Sequence, residues 1–380
     1  MLERDLYELL PISLLISEVY SINVSPFELI NIKGNNTPTD VVQVDSLKCI
    51  PTFYIPIYRN TFVLDKKSLS DVSPKDKIWN KHRASSDLIS DSYLRLDYER
   101  YAERIKQCST LLEFGKVLSN NRFIYKLLST HFCRHRHCVV CQWRKTLKWS
   151  AKFLKAMPNI LEKHPTHRFL FLTLTLKNCD VTELKETITL MNAAWKRMIE
   201  RKSFPADGFV KSLEVTRDEN GLAHPHFHIL MMVPSGYFAT KGGYLSHAKW
   251  IELWKKCLRV NYSPSVRIKA VKQKSEQSLV DALRETLKYS IKPEDLIVDT
   301  KTLTPQQVKD KDEWLGELTR QLHKVRTISL GGIFKQYLSD DELSDLINID
   351  EESDGLPAST ERYLFDWLPD IKQYIQRRDI

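Results

Sequence analysis

The sequence predicts an α+β protein built on a central antiparallel sheet flanked by helices. Three observations carry this. Residues 169–176 alternate as a buried strand, with Leu170, Leu172, Leu174 and Leu176 on one face and Phe169, Phe171, Thr173 and Thr175 on the other. Residues 210–216 and 224–233 are strand-like runs around Asp218-Glu219-Asn220-Gly221, a turn sequence that predicts a hairpin and so antiparallel pairing. Helical runs at 181–202, 250–260 and 276–291 alternate with these strands, the last stopped by Pro293, and 266–272 adds a strand.

The flanking regions are read in turn. Residues 1–63 mix a short apolar helix with β-like runs and carry no recognisable chemistry, and 64–80, rich in Lys, Ser and Asp, reads as a linker. Residues 86–130 read as mostly helical, and 301–380 as a helical tail broken at Gly331-Gly332. This predicts an N-terminal extension (1–70), a helical region with a cysteine site (71–160), a central sheet domain (161–300) and a helical C-terminal region with an acidic tail (301–380).

Composition narrows the function classes. Hydrophobic residues at 42% and charged residues at 28% suit a globular chain, and 11 Gly with 16 Pro are too few for a low-complexity one. No apolar run approaches the ~18 residues of a membrane span, so the expected setting is cytoplasmic with no membrane partner. The net charge of +9 points toward a polyanion. Its distribution says more. Residues 134–155 hold seven Lys or Arg and no acid, whereas 340–354 hold eight acids and no base.

Seven cysteines make an odd number, which argues against a disulfide framework. Cys133-x4-Cys138-x2-Cys141, with Cys108 upstream, supplies four thiols of the kind that bind Zn²⁺ tetrahedrally; His131, His135 and His137 are competing ligands. A closed thiolate shell leaves no position for substrate, so the expected role is structural. The helix that follows places Trp143, Leu147, Ala151 and Leu154 on one face. Arg144, Lys145, Lys148, Lys152 and Lys155 lie on a neighbouring face, suited to a phosphate backbone.

On the strand His224-Pro225-His226-Phe227-His228, His226 and His228 point to one face. Glu214 on the preceding strand shares that face, and a register opposing Glu214 to His228 would bring a carboxylate to the imidazoles. Two His and one carboxylate leave open positions and fit Mg²⁺ or Mn²⁺, or Zn²⁺ or Fe²⁺. Further on, Glu285, Tyr289 and Lys292 fall at i, i+4 and i+7, at and just past the end of the predicted 276–291 helix. A phenol becomes a nucleophile when a cation stabilises its phenolate, and a carboxylate nearby can serve as general base for water.

Together these residues resemble the plasmid rolling-circle replication initiators of the HUH endonuclease class, in the branch of small bacterial plasmids. The resemblance spans roughly 71–340, from Asp76-Lys77-Ile78-Trp79 and Arg104-Ile105-Lys106-Gln107-Cys108 through the segment Phe132–Arg144. Three motifs then follow in order: Phe171-Leu172-Thr173-Leu174-Thr175, His224-Pro225-His226-Phe227-His228 and Lys288-Tyr289-Ser290-Ile291-Lys292. The resemblance implies an HUH-like fold with a zinc-binding insertion, and a single nucleophile, Tyr289, that nicks one strand and keeps the 5′ phosphate as phosphotyrosine. It implies His226 and His228 as ligands of a divalent Mg²⁺ or Mn²⁺, and Glu285 as the carboxylate that lets water finish the last cleavage. It further implies double-strand origin DNA as substrate and a host helicase and replication machinery as partners. Val139 stands where the family commonly has Pro in its Cys-Pro-x-Cys turn, which loosens the turn without removing a thiol. Two rivals are a transposase or conjugative relaxase of the same class, which should lack the long cysteine region, and a non-catalytic zinc-dependent DNA-binding regulator, which has no use for Tyr289.

Overall fold

The computed structural model describes residues 67–119, 122–239, 243–271, 276–287, 291–338 and 361–377. All of them belong to one unit, residues 66–380. Residues 1–66 of the expected N-terminal extension and the acidic run 340–354 lie outside the described residues.

The larger of two sheets has five antiparallel strands. These are β3 (Arg168–Thr175), β4 (Gly208–Arg217), β5 (Ala223–Val233), β6 (Val266–Ala270) and β7 (Ile328–Gly332), taking β1 and β2 as the hairpin described below. Their spatial order is β6-β3-β5-β4-β7. The β4–β5 hairpin is closed by Asp218. Its N–H donates to the Leu222 carbonyl at 3.0 Å, and its Oδ1 accepts from the Asn220 and Leu222 N–H groups at 2.9 and 2.8 Å. Gly221 takes the left-handed φ of +81° that this turn requires.

Both faces of this sheet are covered, which is why its strands are apolar on both sides. Four long helices do the covering: α3 (Val139–Lys163), α4 (Leu184–Ile199), α5 (His247–Leu258) and α6 (Glu276–Leu287), with α1 and α2 reserved for the two that precede the hairpin. On one face, Trp149, Phe153, Met157 and Ile160 of α3 and Leu283 and Leu287 of α6 pack with Phe169, Val210, Leu230 and Met232. The stripe of α3 that packs on the sheet is therefore 149/153/157/160; of the expected 143/147/151/154 Trp143 is buried, away from this core, and the other three are half-buried, and α3 runs through Pro158 to bring Ile160 into the core. On the other face, Trp195 of α4 meets Phe209 edge-on at 4.9 Å, and Trp254 of α5 donates to the Thr175 carbonyl at 2.7 Å. Lys211 is buried on this second face. Its ammonium donates to Asn192 Oδ1 at 2.7 Å and lies 3.7 Å from the centroid of the Phe227 ring. Burial pushes its pKa down to about 7.

The second sheet corrects three expectations. Residues 111–130 are not helical. They form the hairpin β1 (Leu111–Ser119) and β2 (Arg122–Thr130), preceded by helices α1 (Ile78–Arg95) and α2 (Glu99–Lys106). The C-terminal region is not wholly helical either. After α7 (Pro305–Gln321), β7 joins the larger sheet, and β8 (Arg362–Leu368) and β9 (Gln373–Gln376) complete the order β2-β1-β8-β9. Gly331 and Gly332 end β7 rather than break a helix. A Cβ at Gly331 would lie 2.1 Å from the Phe209 ring, and Gly332 has φ +55°. Residues 67–77 are folded, not a linker. A helical turn at Leu69–Val72, closed by a Ser68–Asp71 capping box, leads towards α1, and Ser68 bridges to Ile375 of β9.

Candidate active site and metal-ligand clusters

The closure at Asp218 sets the register of the hairpin. Counting back from Asp218 opposite Leu222, Arg217 faces Ala223, Glu214 faces His226 and Ser212 faces His228. The expected Glu214–His228 register is thus off by two residues, which keeps the same face. Glu214 Oε2 lies 2.6 Å from His226 Nε2 and 2.7 Å from His228 Nε2, and all three residues are buried.

The other ring nitrogens are turned away. His226 Nδ1 donates to the His224 carbonyl at 3.1 Å, and His228 Nδ1 lies 3.4 Å from Thr173 Oγ1. Both Nε2 atoms are therefore the ones presented to Glu214, and the three ligand atoms lie within 4.8 Å of one another. An ionised carboxylate in so buried a place needs a positive partner. One oxygen and two imidazole nitrogens fit a divalent cation, and three donors leave coordination positions for water or substrate. Phe171 stacks on the His228 ring at 5.7 Å and 21°. The sequence reading missed Phe171 and Thr173 as neighbours of the site. Their signal was the polar Thr173 and Thr175 on one face of an otherwise apolar strand.

Tyr289 lies outside the described residues, with Lys288 and Ser290. The chain on either side of them is described. Ser212 Oγ donates to the Thr286 carbonyl, and Thr146 Oγ1 donates to that of Leu287 at 3.2 Å. Ile291 pairs with Val215, on the edge of β4 that β7 leaves open beyond Ser212. The two ends of the tyrosine segment are therefore tied to β4 on either side of Glu214. The described helix ends at Leu287, and Lys292 has an extended backbone at the start of a short helix, so Lys292 does not share a helix face with Glu285. Both side chains are exposed.

The four thiols converge as expected. Cys108 Sγ lies 3.5 Å from Cys141 Sγ and 3.6 Å from Cys138 Sγ, and Cys133 Sγ lies 3.7 Å from Cys141 Sγ. Backbone N–H groups point at the sulfurs: Cys133 to Cys108 at 3.5 Å, Arg134 to Cys141 at 3.2 Å and His135 to Cys133 at 3.4 Å. Arg134 takes a φ of +53° in this knuckle. Cys138 caps α3 and Cys141 sits in its first turn, where the helix dipole favours thiolate. Hydrogen bonding, with Cys108 first and Cys138 next, raises the Cys133 thiol, and hydrogen bonding with Cys108, Cys133 and Cys138 raises that of Cys141. Burial opposes ionisation of Cys138, but hydrogen bonds from the other three sulfurs outweigh it and hold its thiol low. Four ionised sulfurs can share this space only around a cation, and the set fits a tetrahedral metal.

The competing histidines point elsewhere. His131 is exposed, His135 Nδ1 accepts from the His137 N–H, and His137 Nδ1 is 2.7 Å from the Tyr93 hydroxyl. The expected basic face is only partly open. Arg144 is buried among Trp79, Trp143 and Phe132, with its guanidinium 5.5, 5.6 and 6.0 Å from their ring centroids. Lys148 is buried as well, Lys145 and Lys152 are half-buried, and Lys155 is exposed.

Comparison with known proteins completes the assignment. The chain is 32% identical over 301 residues to a protein rep of Lentilactobacillus hilgardii, covering 76% of this chain and 92% of that one. It is 33% identical to a protein rep of Streptococcus pneumoniae serotype 2, covering 75% and 88%. It is 30% identical to one of Bacillus amyloliquefaciens, covering 79% and 94%. No solved structure matches significantly. Among the described residues no helix is long and apolar enough to cross a membrane. The family model described as replication protein (Rep_1) matches residues 124–375, which extends past the expected limit of the resemblance to include β8 and β9. The chain belongs to this Rep_1 family of replication proteins, the plasmid replication initiators that its three motifs resemble.

Proposed function

We propose that this chain initiates rolling-circle replication by nicking one strand of the plasmid double-strand origin, with Tyr289 as nucleophile. The observation that carries the reading is the junction around Glu214. A buried carboxylate between two imidazoles sits on β4, and the chain on both sides of Tyr289 is tied to that strand at Ser212 and Val215.

In the proposed reaction the Tyr289 phenol loses its proton to solvent, and its oxygen bonds to the scissile phosphorus. The bond from phosphorus to the 3′ oxygen breaks, and that oxygen takes a proton to become the 3′-hydroxyl primer. The 5′ phosphate stays on Tyr289 as a phosphodiester, so rejoining is the reverse transfer and needs no nucleotide cofactor. Lys292, three residues on, favours the phenolate by its charge. Glu285 takes a proton from water in the closing step, and that water displaces the phenol. Glu214, His226 and His228 would hold Mg²⁺ or Mn²⁺, which when bound supplies positive charge at a non-bridging phosphate oxygen. Cys108, Cys133, Cys138 and Cys141 would hold a structural Zn²⁺. The lysines of α3, with Lys155 the most open, contact the DNA backbone. The cut strand is unpaired, and a host helicase extends the opening.

The test is a nicking assay on supercoiled origin plasmid with Mg²⁺ or Mn²⁺, with and without EDTA, together with Tyr289→Phe. The expected result is divalent-dependent nicking in the unaltered chain. Tyr289→Phe should form no covalent DNA adduct on a denaturing gel and keep origin binding within about threefold, since phosphate contacts set affinity. A Phe variant that still forms the adduct overturns the assignment.

A further inference from the structure

We propose that Arg267 and Lys269, on the edge strand β6, hold the DNA on the 3′-hydroxyl side of the cut. This deepens the nicking reading and rests on it. Residues directly opposite one another in an antiparallel pair share a face. The ladder sets Arg267 opposite Thr173, Thr173 opposite His228 and His228 opposite Ser212. One rung therefore runs from Arg267 across the sheet to a residue of the Glu214 cluster. Two strand spacings, about 10 Å, separate Arg267 from His228. Lys269 starts the next rung on the same face, opposite Phe171, whose ring stacks on His228.

Burial agrees with this parity. Val266, on the opposite face, is 3% exposed, whereas Arg267 and Lys269 are exposed. Neither β3 nor β6 contains an Asp or Glu, and neither cation has an ion-pair partner among the described residues. Cations on an edge strand also discourage pairing with other chains, so charge alone does not name an occupant.

Position does. The cluster lies on β4 and β5, with β3 and β6 beyond it on the side away from β4. The described chain on both sides of Tyr289 is fixed at β4, through the Thr286 carbonyl on Ser212 and Ile291 on Val215. In phosphoryl transfer the attacking and leaving oxygens lie roughly in line, on opposite sides of phosphorus. With the phenol arriving from the β4 side, the leaving 3′ oxygen points towards β3 and β6, and the nucleotides that precede it follow. Arg267 and Lys269, about 7 Å apart along β6, meet their phosphates. After cleavage the 5′ side is held covalently, and this strip keeps the 3′-hydroxyl end close enough for rejoining.

The experiment first maps the nick that the unaltered full chain makes in supercoiled origin plasmid, by primer extension. Two short single-stranded oligonucleotides of that sequence are then compared by fluorescence anisotropy, one ending at the nick in a 3′ hydroxyl and one beginning there with a 5′ phosphate. In the full chain carrying Arg267→Ala and Lys269→Ala, the Kd for the 3′-hydroxyl oligonucleotide should rise about tenfold. Its salt dependence should fall by about 1.4 in log–log slope, for two lost phosphate contacts on a single strand. The Kd for the 5′-phosphate oligonucleotide should stay within about twofold, and Arg267→Lys alone should bind both within about threefold of the unaltered chain. An unchanged Kd for the 3′-hydroxyl oligonucleotide overturns the proposal. Equal weakening of both also overturns it, since that is general attraction to a basic surface, as does a larger loss for the 5′-phosphate one. Absence of nicking by the unaltered chain instead overturns the nickase reading, and the assignment of strand polarity falls with it.

Discussion

The two ligand clusters are both buried, and both gather their donor atoms within 4.8 Å, yet they are built in opposite ways. The cysteine cluster is assembled from the chain after α2, an irregular knuckle and the first turn of α3, and backbone N–H groups are spent on its sulfurs. Its four donors close the shell. The Glu214–His226–His228 cluster is assembled from two paired strands of a sheet covered on both faces, and its positions are fixed by ladder register rather than by local turns. Its three donors leave the shell open. The comparison teaches that a closed cluster contributes to holding irregular chain together, whereas an open cluster requires a scaffold that is already rigid.

This contrast can be broken by experiment. Glu214→Ala should reduce plasmid nicking about 1,000-fold, the several kcal/mol that charge stabilisation at the phosphate is worth. The same variant should keep its melting temperature and its cysteine-bound metal, measured by elemental analysis. A Glu214→Ala chain that nicks normally breaks the open-cluster side of the comparison. Cys138→Ser should lose bound metal and at least ~3 kcal/mol of stability, about 5 °C in melting temperature for a unit of this size, because metal binding there is folding energy. A Cys138→Ser chain that melts normally breaks the other side.

The smallest effect concerns Lys211, behind Phe227 and so directly beneath the histidine strand. Unfolded, its amine takes a proton at the ordinary 10.5, and folded only at about 7. The unfolded chain therefore binds more protons between those values. Stability should fall as pH drops from about 10.5 to about 7, with the full penalty present below 7. Lys211→Met should flatten that slope and add about 2 kcal/mol at pH 7. Chemical denaturation across pH checks it, and an unchanged slope would sharpen the picture by showing that the ammonium is fully compensated by Asn192 and the Phe227 ring.

Much of the larger sheet was legible because its signals are local. The alternation in β3 and the Asp218–Gly221 turn are contained within a few residues, and parity alone put Glu214, His226 and His228 on one face. The register of Glu214 was not legible, since it depends on how Asp218 closes the turn. The β1–β2 hairpin was misread as helix because its stabilising partner, β8, lies some 250 residues further along the chain. Arg144 read as a surface charge because its aromatic surroundings come from Trp79 and Phe132, which helical spacing cannot reveal. The glycine pair at 331–332 read as a break because the need for it is the Phe209 ring on a neighbouring strand.

The placement of β8 beside β1 has a consequence for biosynthesis. The smaller sheet begins at Leu111 and is completed only by residues 362–376, which leave the ribosome some 250 residues later. Until then the inner edge of β1 has no partner, so a nascent or truncated chain would carry the larger sheet beside an unfinished one with an exposed, pairing-competent strand. Completion of the smaller sheet thus waits until residues 362–376 have been made.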